Sequence, residues 1–207
     1  MAFYVIGERR VHPGQMQTFV DATRLFGEQL ARAGAPQEAF QLYIAEDDPE
    51  VALLVGRWPD PERMAAAHAA VPPEIAQAVR DPVLKGAGSW RWYAPLREVE
   101  AFGERTRTLI AAQFHVDPAV VEPFVDWARG VQDAASRLPG VIATRLLVAT
   151  EEPHIYFYLG EYADEAAALA VSALPSERPP PTPLKQFRRF QGQLGYWWDR
   201  PGQRELD

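Results

Sequence analysis

Phe19-Val20-Asp21-Ala22-Thr23-Arg24 returns 105 positions later as Phe124-Val125-Asp126-Trp127-Ala128-Arg129, keeping the pattern Phe-Val-Asp-x-x-Arg. The flanks hold the same offset: Pro13 and Pro118 precede the two copies, and Trp92 and Trp197 follow them. An offset of about half the 207-residue chain points to a two-fold internal repeat, one supersecondary unit in each half.

Working outward from the first copy, the apolar positions Met16, Phe19, Thr23, Phe26 and Leu30 step by three and four, the stripe of an amphipathic helix. Before it, residues 3–11 are rich in aromatic and β-branched side chains and read as a strand, ended by His12-Pro13-Gly14. After Gly34 and Pro36, two strand-like runs, 39–45 and 51–58, flank the polar turn Glu46-Asp47-Asp48-Pro49 and read as a hairpin. Asp60 is placed to cap a helix beginning at Pro61, which would set Met64 and His68 on one face. Pro72-Pro73 interrupts that helix, a shorter one resumes to about Arg80, and Gly88 to Tyr93 reads as a closing strand with Trp90 and Trp92 on one face.

The second half repeats the order. A strand over 106–116 leads to Asp117-Pro118, and the stripe Val121, Phe124, Ala128, Val131, Ala135 and Leu138 keeps the three-four stepping until Pro139-Gly140. Strands at 141–149 and 154–162 form a second hairpin, and Asp164 could cap a helix through Ala173. Pro179-Pro180-Pro181 reads as a rigid loop, residues 184–190 as a short basic helix, and Tyr196-Trp197-Trp198 as the closing strand. Residues 95–104 read as the connection between units spanning 1–97 and 105–200.

Composition narrows the function classes. A net charge of −7 argues against a phosphate-neutralising surface for DNA or RNA. With no cysteine, disulfides, thiolate metal sites and a cysteine nucleophile are excluded. His12, His115 and His154 are scattered and form no metal-ligand spacing, so no metal is expected. Lys85-Gly86-Ala87-Gly88 has neither P-loop nor dinucleotide spacing. Met1 to Arg10 is neither a signal peptide nor a membrane span, which makes the cytoplasm the expected location.

A β-α-β-β-α-β unit makes a four-stranded antiparallel sheet with both helices on one face. Runs such as Val51 to Val55 are apolar on both faces, so the other face must be covered as well. Two units can cover each other, sheet against sheet. At roughly 25 cal/mol per Å2, a few hundred Å2 of apolar surface is worth on the order of 10 kcal/mol before entropic costs.

The strand end His12-Pro13-Gly14, helix residue Phe19, the hairpin turn through Pro49, Trp58, and His68 ten positions after it resemble the antibiotic biosynthesis monooxygenase-type domain of the dimeric α/β-barrel superfamily. The resemblance covers most of residues 3–95. The second unit fits in order and length, with Tyr162 in place of Trp58 and no histidine near position 172. It implies an α+β fold in which two ferredoxin-like units pack their antiparallel sheets into one pseudo-dimeric barrel. It also implies a cofactor-independent monooxygenase-like activity on a small aromatic or quinone-type molecule in a barrel cavity, and a homodimer of such chains. A non-catalytic ligand-binding or structural member of the superfamily is one alternative, and a haem-binding or haem-degrading relative is another.

Trp58 and His68 are the catalytic candidates. In similar domains that degrade haem, a tryptophan and a histidine at this spacing work with an asparagine on the first strand, where Gly7 stands here. His68 could serve as a base or haem ligand, since imidazole titrates near neutrality, or lie on the helix surface with Trp58 packed beneath it. Arg9 could clamp a carboxylate or phenolate, as could Arg57; strand-end arginines also pair with Glu8 or Glu46. Trp90, Trp92 and Trp197, with Tyr93, Tyr196 and Trp198, either line a pocket for a planar ligand or fill the core.

Overall fold

Strands alternate with helices in the order β-α-β-β-α-β, twice over, in a computed structural model of the chain. The structure describes residues 2–78, 84–86, 88–100, 107–174 and 184–199, and of residues 78, 100, 184–189 and 194–199 the backbone alone. The Pro179–Pro181 loop expected from the sequence lies outside the described residues. No helix among the described residues is long and apolar enough to cross a membrane.

In the first half, β1 (Phe3–Arg10) pairs antiparallel with β3 (Val51–Trp58), which pairs with β2 (Ala39–Ala45). Helix α1 (Met16–Arg32) lays Phe19, Val20, Thr23 and Leu30 onto this sheet. Phe19 and Val20 meet Val11, Leu42, Ala52 and Leu54 in one buried cluster. Alternation along β1 then assigns the whole strand: Val5, Gly7 and Arg9 face the helices, while Tyr4, Ile6 and Glu8 face the other way. Two short helices follow β3, α2 (Pro61–Ala69) and α3 (Pro73–Ala78).

The second half has β5 (Thr108–Val116), β6 (Val141–Ala149) and β7 (Ile155–Tyr162) in the same antiparallel arrangement, β7 in the middle. Helix α4 (Val121–Ala135) buries Phe124, Ala128, Gln132 and Ala135, and α5 (Glu165–Ser172) follows β7. Phe124, the counterpart of Phe19 in the repeated stretch, sits among Phe114, Trp127 and Tyr156 at centroid distances of 5.1, 5.8 and 5.0 Å.

Two long strands complete the sheets, β4 (Ser89–Glu100) and β8 (Leu184–Asp199). The hydrogen-bonded order β1-β3-β2-β8-β5-β7-β6-β4 closes on itself as a barrel. Compact units divide within these two strands: one holds Met1–Trp92 and Leu194–Asp207, the other Tyr93–Gln193.

Both long strands depart from the sequence reading. Residues 95–100, read as connector, continue β4 opposite β6, and a register shift between Pro95 and Arg97 accommodates the proline. Residues 184–190, read as a basic helix, are strand paired to β5 from Leu184↔Val116 to Phe190↔Ala111. Phe187 and Phe190, three apart, mimic a helical stripe, but the open edge of β5 offers a ladder of backbone hydrogen bonds that a helix would leave unmade.

Candidate functional site

The end of β3 and the start of α2 are fixed by local chemistry. Pro59 stops the strand, and Asp60 accepts a hydrogen bond from the Arg63 amide at 2.8 Å, capping a helix whose first residue is Pro61. His68 therefore falls two turns into α2, four residues after Met64. Its imidazole packs edge-on against Trp58, with centroids 5.6 Å apart, and against Phe26 of α1 at 5.1 Å. Trp58 is 2% exposed, in a cluster with Val5, Leu30, Ala35, Ala67 and Val71. His68 is half-buried. The pair read from the sequence is brought together on the helix-facing side of the first sheet, between α1 and α2.

Arg9, Trp90 and Trp92 belong to the same face. The Arg9 guanidinium carbon lies 4.0 Å from the Trp90 ring centroid, and Arg9 itself is 8% exposed. Its Nη1 donates to the carbonyls of Glu8 at 3.0 Å and Ser89 at 3.4 Å, which leaves the planar cation stacked against the indole. A Cβ on Gly88 would overlap this guanidinium, so the glycine makes room for it. Trp90 is 48% exposed, too open to count as core filling. Trp92, two residues on, is half-buried and packs against the cluster that holds Trp58. Arg57 faces the opposite side of the sheet and pairs with Glu38 at 3.1 Å. The side chain of Trp197, on β8, lies outside the described residues.

Gly7 explains what this face cannot hold. A Cβ at that position would stand 2.7 Å from Cδ2 of Trp90, because the indole already fills the space above the strand. The asparagine that the haem-degrading constellation requires has no room, and His68 is flanked by two aromatic rings. These residues do not fit haem. Among the described residues no group of three or more histidine, cysteine, aspartate or glutamate side chains could hold a metal ion.

The second unit carries a polar cluster that the sequence reading missed. Tyr162 is 1% exposed and, like Trp58, follows a glycine by two residues. A Cβ on Gly160 would overlap the Tyr162 ring, as one on Gly56 would approach Trp58 Nε1 to 3.1 Å. This repeated Gly-x-aromatic signal was present in the sequence. Tyr158, opposite Ala112 on the helix-facing side, has its hydroxyl within reach of the Tyr162 and Thr144 hydroxyls. Burial, with Tyr162 adding to it, holds the Tyr158 phenol well above the usual tyrosine range. Gln132 of α4 reaches Thr144 Oγ1 with its amide nitrogen at 3.4 Å. On the other face of this sheet, Arg145 bonds Glu161 and lies 3.6 Å from Glu98.

Comparison with known proteins places this architecture. The antibiotic biosynthesis monooxygenase family model matches residues 108–176, the second unit rather than the first, whose residues carried the resemblance. No curated protein sequence matches the chain significantly. Among solved structures, a candidate monooxygenase of Fusobacterium nucleatum superposes with a TM-score of 0.81 at 10% identity, covering 98% of this chain and 96% of that one. A candidate monooxygenase of Lactobacillus acidophilus gives 0.76 at 10% identity over 100% and 99%. An anthrone oxidase-like protein gives 0.68 at 12% identity over 100% and 96%. At such identities the likeness is one of fold. The chain thus shares the fold of these proteins, and its residues 108–176 match the antibiotic biosynthesis monooxygenase family model.

Proposed function

We propose that the protein is a monooxygenase that oxidises a small aromatic or quinone-type molecule without a cofactor, on the helix-facing side of its first sheet. The observation that carries this reading is the Arg9–Trp90 stack: a buried guanidinium against an indole that is half open to solvent. A planar substrate would stack on the open part of Trp90, extending toward Trp92, Trp58 and His68. The cation beside it favours an enolate or phenolate, and the apolar surroundings strengthen that attraction. His68 takes the proton from the substrate carbon as general base. The resulting carbanion reduces dioxygen; one oxygen atom becomes the new carbonyl oxygen and the other leaves as water. The family of the second unit, and the names borne by proteins of the same fold, support oxidation of this kind. We also read the two units, 1–97 and 105–200, as copies of one ancestral domain, on the strength of their shared element order and the repeated Phe-Val-Asp-x-x-Arg stretch.

The test is oxygen consumption with anthrone as substrate. His68→Ala should lower kcat by about 10²-fold, the usual worth of a positioned general base. Arg9→Ala and Trp90→Ala should raise KM. Wild-type rates in all three variants, or no turnover by the parent protein, would remove this reading.

A further inference from the structure

The run Lys85-Gly86-Ala87-Gly88, which lacks phosphate-loop spacing, leads the chain into β4 and so to Ser89 and Trp90. Its start is fastened to the end of β1 in three ways. Leu84 forms an antiparallel bridge with Val11 and packs against the buried cluster that holds Phe19. The Lys85 amide donates to the Arg10 carbonyl at 2.8 Å. The Lys85 ammonium reaches Glu50 Oε2 at 3.1 Å. Glu50 is fixed in its turn: its carbonyl accepts from the Val11 amide at 2.8 Å, and its amide donates to Asp48 Oδ1 at 3.1 Å. Arg10 pairs with the same Asp48 at 2.8 Å. The β2–β3 turn, the end of β1 and Lys85 therefore form one polar clasp.

Beyond the clasp the chain serves the Arg9–Trp90 stack. Gly86 has a φ of +77°, where a side chain would be strained, so it makes the turn away from Lys85. Gly88 leaves room for the Arg9 guanidinium, and the Ser89 carbonyl accepts one of its hydrogen bonds at 3.4 Å. Trp90 then lies over Gly7 and against Arg9, with 48% of its surface still exposed. Burial holds such an indole less firmly than one in the core. Two glycines in four residues also make this entry the part of the chain with the most backbone freedom, and a fixed anchor ahead of them offsets it. We propose that Lys85 is a positioning residue for the Arg9–Trp90 stack: paired with Glu50, it fixes the point from which Gly88, Ser89 and Trp90 are laid over Arg9. Its effect on turnover rests on the oxidation proposed for this face; its effect on the stack does not.

Two measurements on the full chain test it. One is acrylamide quenching of Trp90 fluorescence, taken as the difference between each protein and its Trp90→Phe counterpart. The other is steady-state oxidation of anthrone. Lys85→Met, which keeps the apolar stem and removes the charge, should raise the quenching of Trp90. It should also raise KM about two- to fivefold, the range that a part-exposed ion pair is worth. The kcat should stay as it is, because His68 is placed by the Asp60 cap and not by Lys85. Glu50→Gln should act in the same way, the double variant should be no worse than either single one, and Lys85→Arg should keep the parent values. Sodium chloride at about 1 M, where the screening length is about 3 Å, should loosen the stack in the parent and change nothing further in Lys85→Met. Parent-like quenching in Lys85→Met and Glu50→Gln would overturn the proposal. So would a Lys85→Arg protein that behaves like Lys85→Met, or an equal salt response in the parent and Lys85→Met. Should Lys85→Met fail to fold, Glu50→Gln and the salt series on the parent still decide. Altered quenching in a protein that does not oxidise anthrone would remove the reaction and leave the positioning role; turnover with unaltered quenching would do the reverse.

Discussion

The indole of Trp90 lies in the space that a side chain on Gly7 would occupy. Gly7 does not have positive φ, so the glycine is needed for room and not for backbone freedom. Gly7→Ala should push the half-exposed Trp90 outward and break its stacking with Arg9, at a cost of about 1–3 kcal/mol from overpacking. In a Trp90→Ala background the same substitution should cost much less, because the obstructing ring is gone. A double-mutant cycle by denaturant unfolding measures the coupling, and additive effects would show that Gly7 and Trp90 do not compete for this space.

Phe19 and Phe124 occupy equivalent places in the repeated stretch, and both are fully buried. Phe→Ala at either should cost about 3–5 kcal/mol, the range for a large aromatic removed from a packed core. The Asp and Arg of the same stretch behave differently. Arg129 and Asp126 are 3.9 Å apart and largely solvated, and Asp21 instead accepts from Gln17 at 3.0 Å. Replacing either aspartate by alanine should change stability by no more than about 0.5 kcal/mol. Thermal melts of the four variants would separate a packing repeat from a functional one.

Asp60 and Asp164 perform the same task in the two units. Each accepts the amide hydrogen of the residue three positions on, Arg63 and Ala167, both at 2.8 Å. Asp60→Ala and Asp164→Ala should each destabilise by about 1 kcal/mol, with Asn retaining most of the effect. Because the Asp60 cap sets where His68 falls along α2, its loss should also lower anthrone oxidation more than the Asp164 change does. Equal losses of activity in the two variants would detach His68 from the reaction.

These caps show why so much of the fold was legible. Asp60-Pro61 and Asp164-Glu165 are local signals, and the helices begin where they say. The Trp58–His68 contact was legible for the same reason, since a strand end and a capped helix start leave little freedom between them. What could not be read depends on distant partners. Leu184 to Phe190 becomes strand because β5, some seventy residues earlier, offers it an edge. Gln132 looks like any solvated helix residue until Thr144 of β6 is folded against it. The exposure of Trp90 was equally hidden, because an indole on a closing strand suits a core as well as a surface.

Tyr158 should make the protein sensitive to alkali. Burial keeps its phenol protonated in the folded state well above the pH at which an unfolded tyrosine, with a pKa of about 10, ionises. Below about pH 10 the group is neutral in both states and its contribution to stability is fully present. As the pH rises past that value the unfolded chain releases the proton first, so the folded state holds more protons and loses stability until its own phenol ionises. Tyr156, raised by burial as well, adds to the same trend. Denaturant melts between pH 9 and 11 should therefore show a steady fall that is shallower in Tyr158→Phe. An identical slope in that variant would mean that the phenol is not held neutral by its surroundings, and the buried setting described for the cluster would be wrong.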